Sequence, residues 1–196
     1  MRKGEQTRRA ILDAAIARFG REGFRATSVA DIARDAGVGG TVAYAYFANK
    51  EALFLAAVDE DAASVVGEGL IKALAEPIAE LPRTVILVVV EALRRHPLAQ
   101  RLLAGLEPEV TARVLDIPAL AEVRKLCAER LRQGQLDGSV RPDIDPTSVA
   151  NGLVAITLSL LMSVVQLGTA VDDAYGPDVA AVFKAAVEAI RPVTAR

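Results

Sequence analysis

The sequence has few of the residues from which catalytic and metal sites are built. Its 196 residues include one cysteine and one histidine. A single cysteine, Cys127, excludes an intramolecular disulfide and is typical of a reducing cytoplasm. With one histidine, no metal-binding cluster and no Cys–His or Ser–His–Asp set can be singled out. The sequence also lacks a glycine-rich phosphate loop of the Walker type, so we expect neither an enzyme nor a bound cofactor.

The composition favours a folded protein with two differently charged parts. Apolar residues make up 52% of the chain, which favours a sizeable core over disorder. The N-terminus carries charge without an apolar run behind it, so no signal peptide is predicted. Residues 1–50 contain nine Lys/Arg against five Asp/Glu, whereas residues 51–196 contain fourteen against twenty. This contrast predicts two domains, 1–50 and 51–196, with different partners, although a basic surface by itself is most often simply solvated.

The first 50 residues carry the pattern of short amphipathic helices. In the first helix, apolar residues recur at helical spacing. They are Ile11, Leu12, Ala15, Ile16 and Phe19. A second helix is predicted to begin at Thr27 and Ser28, where a hydroxyl at the N-cap and Asp31 three residues later resemble a capping box. Gly37 and Gly39 end this helix, because glycine is the usual punctuation between helices.

The segment TVAYAYFANK follows and holds two of the three tyrosines. A third short helix is predicted over residues 40–47, and Asn49 caps a fourth. Two short helices joined by a glycine turn form a helix-turn-helix, whose second helix enters the DNA major groove. The Tyr46 hydroxyl can bond one phosphate oxygen and Lys50 can neutralise another. Phe47 and one face of Tyr44 are predicted to anchor the short helix; alternatively, all three aromatics form the core of a small domain.

Residues 11–53 resemble the N-terminal domain of TetR-type bacterial transcriptional regulators. The matching segments are AAIARFGREGFRATSVADIARDAGV and YAYFANKEAL. The positions that carry the resemblance are Gly37, Val38, Tyr44, Tyr46, Phe47, Lys50 and Glu51. The sequence departs from the family where Thr41 and Val42 replace a frequent Gly-Thr pair, and where Ala45 separates the tyrosines. The resemblance implies an N-terminal helix-turn-helix domain of three helices and a larger C-terminal helical domain for ligand binding and dimerisation.

The predicted DNA-binding residues fall into four groups. Thr41 is the best candidate for reading bases, with Tyr44 beside it, because Ala45 and the two glycines before the helix offer little to a base edge. The backbone amides of Gly39 and Gly40 can approach a phosphate, although a plain turn is an equal alternative. Thr27 and Ser28 are expected first as caps, and the resemblance adds a phosphate contact to that role. Tyr46 and Lys50 complete the set.

The rest of the chain shows no strand alternation, which predicts an all-α fold. Six consecutive aliphatic residues, 85–90, predict a helix buried on several sides. The resemblance implies a ligand pocket here, and aliphatic stretches at 85–93 and 153–161 favour an apolar or amphipathic small molecule. The candidate ligand-binding residues are Leu87, Glu91, Arg124, Asn151 and Thr157. Each polar one is otherwise a surface residue or an internally satisfied group. His96 is expected to cap a helix end and Cys127 to lie in the core.

The uncharged stretch 149–167 is long enough to span a membrane. Its acidic flanks and polar interruptions predict instead a helix buried by its own core and by a second subunit. The resemblance implies a homodimer in which helices at 146–168 and 177–191 form a four-helix bundle with their mates.

Together these observations predict a cytoplasmic, homodimeric transcriptional regulator, a repressor that a small effector releases from double-stranded operator DNA. The alternative is a dimeric helical small-molecule-binding module with weak or lost DNA specificity, given Gly39, Gly40 and Ala45. Salt-dependent DNA binding separates the two, because contacts to phosphates weaken steeply with salt.

Overall fold

The computed structural model describes residues 3–73, 81–108, 113–168 and 170–188. Within these ranges the chain forms nine α-helices, one 3₁₀ turn and no strand, apart from an isolated bridge between Val140 and Glu188. The all-α prediction is confirmed. The helices are α1 (Lys3–Glu22), α2 (Val29–Asp35), α3 (Gly40–Tyr46), α4 (Lys50–Ala73), α5 (Leu81–Leu93), α6 (Pro97–Leu103), α7 (Pro118–Asp137), α8 (Pro146–Leu167) and α9 (Ala170–Val187), with the 3₁₀ turn at Val114–Asp116.

Contacts divide the chain into two compact units. The first consists of Met1–Glu68 and Glu91–Ile117, and the second of Gly69–Val90 and Pro118–Arg196. The first unit therefore holds most of α4 and the whole of α6 in addition to the three N-terminal helices. The predicted domain boundary at residue 50 does not coincide with these compact units, and the division of function there stays a prediction.

The core of the first unit forms where α1 packs against α2 and α3. Ile11, Phe19 and Ile32 are completely buried, as the helical spacing of apolar residues in α1 predicts. Around Phe19 lie two further rings, with centroids 4.8 Å from Phe54 and 6.2 Å from Phe24. Phe24 and Phe54 are themselves 4.8 Å apart. This ring cluster joins the end of α1, the turn after it and the first turns of α4.

A buried polar network joins α4 to the start of α6. Asp61, only 3% exposed, accepts hydrogen bonds from the backbone amide of Ala99 at 2.9 Å and from His96 Nδ1 at 2.7 Å. The other ring nitrogen of His96 lies 3.1 Å from Glu68, which is paired with Arg95 at 2.5 Å. The sequence-based role for His96 is corrected in part: it occupies the N-cap position of α6, but its side chain makes no capping bond. Asp61 provides that bond from α4.

The network makes the stability of the protein depend on pH through one residue. Partial burial lowers the pKa of His96, but hydrogen bonds to Asp61 and Glu68 outweigh burial and raise that pKa above its ordinary value of 6.5. A raised folded-state pKa contributes stability below the unfolded-state value and loses it as pH rises through the folded value. We therefore expect the urea concentration at the unfolding midpoint to decrease when the pH is raised from 6 to a value above the raised pKa. His96→Gln should abolish this dependence, because His96 is the only histidine; an unchanged pH profile in that variant would contradict the assignment.

The second unit is built on packing of α8 against α7 and α9. Its buried cluster contains residues of all three helices and of the loop after α7. The members are Cys127, Ala128, Leu131, Val140, Ala150, Leu153, Phe183 and Val187. The prediction that Cys127 lies in the core is confirmed, and burial raises the pKa of its thiol. Asp145 caps α8 by accepting from the Ser148 amide at 2.8 Å.

Helix α8 is long and apolar enough to cross a membrane by length and composition alone. One such helix is weak evidence, because the core helix of a soluble protein passes the same test. Only 22% of its apolar window is buried within the chain. Ile156 on α8 and Val182 on α9 are exposed apolar side chains. The last helix was predicted at 177–191, and its end, including Ile190, lies outside the described residues.

Candidate nucleic-acid interface

The turn between α2 and α3 has the geometry of a Schellman motif. Gly37 has a φ of +69°, a conformation that residues with a Cβ adopt only with strain. Its amide donates to the Arg34 carbonyl at 3.1 Å, and the Val38 amide donates to the Ala33 carbonyl at 2.9 Å. These are the two bonds that define the motif. The helix-turn-helix predicted from Gly37 is therefore present and has a fixed turn.

The hydroxyls at the start of α2 are used inside the protein. Ser28 is the N-cap: its Oγ accepts from the Asp31 amide at 3.1 Å and donates to the Asp31 carboxylate at 2.6 Å. Thr27 is buried, and its hydroxyl donates to the Gly23 carbonyl at 2.8 Å. A hydroxyl has one proton to donate, and a phosphate oxygen only accepts. In this state a phosphate contact at either residue would have to come from a backbone N–H.

Helix α3 presents most of its surface to solvent. Ala43 is its only residue that is buried. Tyr44 is 55% exposed, so it is not a core residue, and the prediction that one of its faces anchors the helix stays a prediction; Ala43 is completely buried. The anchoring role of Phe47 is confirmed, because Phe47 is buried and the guanidinium of Arg8 lies 5.2 Å from its ring centroid. The reading in which all three aromatics form a core therefore holds for Phe47 alone.

The α3 hydroxyls predicted to meet DNA have no hydrogen-bond partner among the described residues. Thr41, Tyr44 and Tyr46 make no side-chain hydrogen bond within the described ranges. Tyr46 is 37% exposed, and its hydroxyl lies beside Gly4 at the start of α1. The glycines Gly39 and Gly40 form the N-cap and first residue of α3, with no side-chain cap. All of these groups are free to donate to an incoming phosphate or base, and their contacts with DNA remain predictions.

Lys50 begins α4 at the edge of the same surface. Asn49 caps this helix by accepting from the Ala52 amide at 2.7 Å, as predicted. The Lys50 ammonium lies 4.4 Å from the ring centroid of Phe24. This cation–π contact was not predicted from the sequence, because the two residues lie on different elements. The contact restrains a flexible side chain that is predicted to neutralise a phosphate.

Several basic residues of the N-terminal region are paired with acids. Arg18, on α1, binds Asp35 at 2.7 Å and Glu22 at 3.1 Å, and its guanidinium lowers the pKa of Asp35. Arg9 is paired with Asp13 at 2.9 Å and with Glu60. The excess positive charge of residues 1–50 is thus partly used to tie helices together. Arg2, another basic residue of the N-terminus, lies outside the described residues.

The five predicted ligand-binding residues have separate environments. Leu87 is 57% exposed, Glu91 is exposed and within 3.5 Å of Arg94, and the Thr157 hydroxyl donates to the Leu153 carbonyl at 2.8 Å. Asn151 is exposed and Arg124 is half-buried. None of the five lines the small cleft in the first unit. That cleft is lined by Leu55, Val58, Asp59, Leu102, Arg113, Val114, Asp116 and Ile117. The ligand-binding roles remain predictions.

Comparison with known proteins agrees with the geometry of the N-terminal region. Residues 11–57 match the sequence model of a family described as bacterial regulatory proteins, tetR family. This range includes the helix-turn-helix, the tyrosines of α3 and Lys50. No curated protein sequence matches the chain.

Solved structures extend the similarity to nearly the whole chain. A TetR-family transcriptional regulator from Cytophaga hutchinsonii superimposes with a TM-score of 0.71 at 19% identity, covering 97% of this chain and 99% of that one. A structure described as the molecular basis for control of antibiotic production by bacterial hormones has a TM-score of 0.65 at 25% identity, covering 93% and 98%. A gamma-butyrolactone receptor, described as ArpA-like, has a TM-score of 0.50 at 26% identity, covering 98% and 92%.

Proposed function

We propose that this chain, a TetR-type bacterial regulator by its N-terminal region and its fold, is a cytoplasmic repressor released from its operator by a small molecule. TetR-type regulators bind operator DNA, form dimers and bind effectors, and are generally not enzymes. The observation that carries the proposal is the exposed face of α3. Three hydroxyls, those of Thr41, Tyr44 and Tyr46, have no hydrogen-bond partner in the part of the chain that the structure describes, and they lie on a helix that the Gly37 turn holds in place.

In this proposal Tyr46, Lys50 and the amides of Gly39 and Gly40 contact phosphates, while Thr41 and Tyr44 face base edges. Phosphate contacts fix the register of the protein on DNA, and base contacts select the sequence. The start of α2 adds the backbone N–H of Ser28, whereas that of Thr27 would have to leave the Phe24 carbonyl, to which it donates at 3.4 Å. Because α3 offers few long polar side chains, we expect much of the affinity to come from phosphates.

Dimerisation through α8 and α9 would place two copies of α3 in successive major grooves. The exposed apolar side chains of these helices, Ile156 and Val182 among them, support a partner surface. In a two-fold dimer the recognition helices would lie roughly 34–36 Å apart, one turn of DNA. The operator is then a palindrome.

The effector is proposed to be an apolar or amphipathic small molecule bound in the C-terminal domain. The similarity to a gamma-butyrolactone receptor supports this class, because a lactone combines a polar ester with apolar carbon. The residues proposed to line the pocket are Leu87, Glu91, Arg124, Asn151 and Thr157. Release requires that the effector bind the DNA-free conformation more tightly than the DNA-bound one. An effector that binds both equally would contradict the mechanism.

The test is selection of fragments from genomic DNA by the purified protein at two salt concentrations, followed by sequencing of the retained pool. Enrichment of one palindrome, weakened by salt, supports a specific dimeric regulator. Retention without an enriched site means that α3 reads little sequence. No retention at all favours the alternative, a dimeric ligand-binding module without DNA specificity. The observation that supports this alternative is that Gly39, Gly40 and Ala45 offer no polar side chain at α3.

Removing one hydroxyl tests the phosphate contact directly. Tyr46→Phe is expected to weaken operator binding at least about tenfold, since a hydrogen bond to a charged group contributes about 1.5–3 kcal/mol. Unfolding should be unaffected, because the hydroxyl has no partner within the described chain. Tyr175→Phe is the matched control: Tyr175 is exposed on α9 and is not among the predicted DNA-binding residues. Equal operator affinity for Tyr46→Phe and Tyr175→Phe in a gel-shift titration would remove Tyr46 from the interface.

A further inference from the structure

Two glycines allow the end of α1 to lie directly against α6. A Cβ on Gly20 would be 2.8 Å from Cγ of Pro97 and 2.9 Å from the amide nitrogen of Leu98. Gly23 has a φ of +84°, and a Cβ there would be 2.8 Å from Oε1 of Glu107 and would also meet the Arg101 guanidinium. Real Cβ atoms essentially never come so close to other heavy atoms. The turn that leads from α1 into the helix-turn-helix is therefore in contact with α6 and with the segment after it.

Glu107 makes this contact polar. Its side chain is 3% exposed, and it lies in the segment that follows α6. One carboxylate oxygen accepts from Nε of Arg101 at 2.8 Å, and the other accepts from the backbone amide of Phe24 at 3.2 Å. A buried carboxylate is costly unless it is paired and hydrogen-bonded. The bond to Phe24 joins positions 83 residues apart, so it fixes the turn after α1 from outside the N-terminal helices.

Phe24 connects this bond to the predicted DNA surface. Its backbone is held by Glu107, while its ring packs on Phe54 and lies under the ammonium of Lys50 at 4.4 Å. A cation over an aromatic face is attracted by the ring quadrupole, and the rest of the ammonium stays available as a donor. Displacement of the Phe24 backbone would therefore move the ring that restrains Lys50.

We infer that Glu107 is a positioning residue for DNA binding: through the Phe24 amide and ring it places Lys50 where the ammonium can neutralise a phosphate. The inference rests on the proposed function and adds to it a residue that touches no DNA. A buried carboxylate outside the helix-turn-helix thereby contributes measurably to the phosphate contact. A purely stabilising Glu107 would change the folded fraction and leave the number of phosphates contacted unchanged.

The salt dependence of binding counts these contacts. Each phosphate contact contributes about 0.9 to the slope of log affinity against log salt on duplex DNA. With a duplex that carries the enriched palindrome, we expect Lys50→Gln to reduce the magnitude of this slope by about 0.9 per subunit. Glu107→Leu, which removes both acceptor oxygens at this buried position, should reduce it by a similar amount, and the Lys50→Gln, Glu107→Leu double variant should reduce it no further. Non-additivity of this kind is the signature of two residues acting on one contact.

Arg101→Gln is the matched control. It breaks the same ion pair but leaves the Glu107 carboxylate on the Phe24 amide, so the slope should stay at the wild-type value.

Phe24→Leu provides a second test if the Glu107 variant does not fold. It keeps the backbone amide and an apolar side chain but removes the aromatic face under Lys50. We expect Phe24→Leu to lower the slope as Lys50→Gln does.

The inference is overturned if folded Glu107→Leu keeps the wild-type slope, if its effect adds to that of Lys50→Gln, or if Phe24→Leu leaves the slope unchanged. In those cases the protein still binds DNA and the proposed function stands. Wild-type protein without salt-dependent binding overturns the proposed function, and the role of Glu107 with it. Circular dichroism of each variant reports whether it is folded.

Discussion

Asp61→Ala is expected to lower the free energy of unfolding by about 3–5 kcal/mol, the usual cost of removing one partner from a buried charged pair. The Asp61 carboxylate accepts from His96 Nδ1 and from the Ala99 amide, and it is almost completely buried. Alanine would leave both donors without this acceptor at the start of α6. The quantity to measure is the urea midpoint, with an unchanged m-value showing that the denatured state is not altered.

Glu60→Ala provides the control for this variant. Glu60 is the neighbouring carboxylate on α4 and is paired with Arg9, but this pair is largely exposed to solvent. Exposed pairs contribute about 0–1 kcal/mol. A loss of similar size in both variants would mean that burial and the cap on α6 contribute nothing. Asp61→Ala should also weaken the pH dependence of stability, since Asp61 is the first of the two carboxylates that raise the pKa of His96.

Phe19→Ala is expected to cost about 3–5 kcal/mol, as large-to-small substitutions of fully buried aromatic residues do. Phe19 is completely buried at the centre of the ring cluster, within reach of both Phe24 and Phe54. The cavity would lie under the turn after α1 and the first turns of α4, which carry the predicted DNA contacts. Operator binding should therefore be lost at a lower temperature than in the wild type.

Phe19→Leu separates loss of volume from loss of the ring. It retains most of the apolar side chain, and swaps that conserve volume usually cost less than about 1.5 kcal/mol. Thermal unfolding of both variants, followed by circular dichroism, gives the comparison. If alanine and leucine destabilise the protein equally, the cost does not arise from a cavity, and the position of Phe19 in the core would need another explanation.

Local signals in the sequence were sufficient for the elements that form the helix-turn-helix. Ser28 with Asp31, and Asn49 with Ala52 just after α3, each form a cap within three residues of sequence. Such caps can be predicted because both partners are in the same short segment. The glycine turn at Gly37 and the apolar spacing of α1 are local in the same sense. The family resemblance was also carried by positions within this region, and the match to residues 11–57 confirmed it.

The sequence by itself thus determined the helical class, the helix-turn-helix and the family of the N-terminal region. Only the tertiary structure decided which side chains are exposed and which distant groups meet. Periodicity did not indicate that Tyr44 points outward, because a seven-residue helix with one buried alanine has no clear apolar stripe. Nor did it indicate the bond between Glu107 and Phe24 or that between His96 and Asp61, which join residues 83 and 35 positions apart. The physical reason is that caps and turns depend on neighbours along the chain, whereas buried charges depend on how the helices pack.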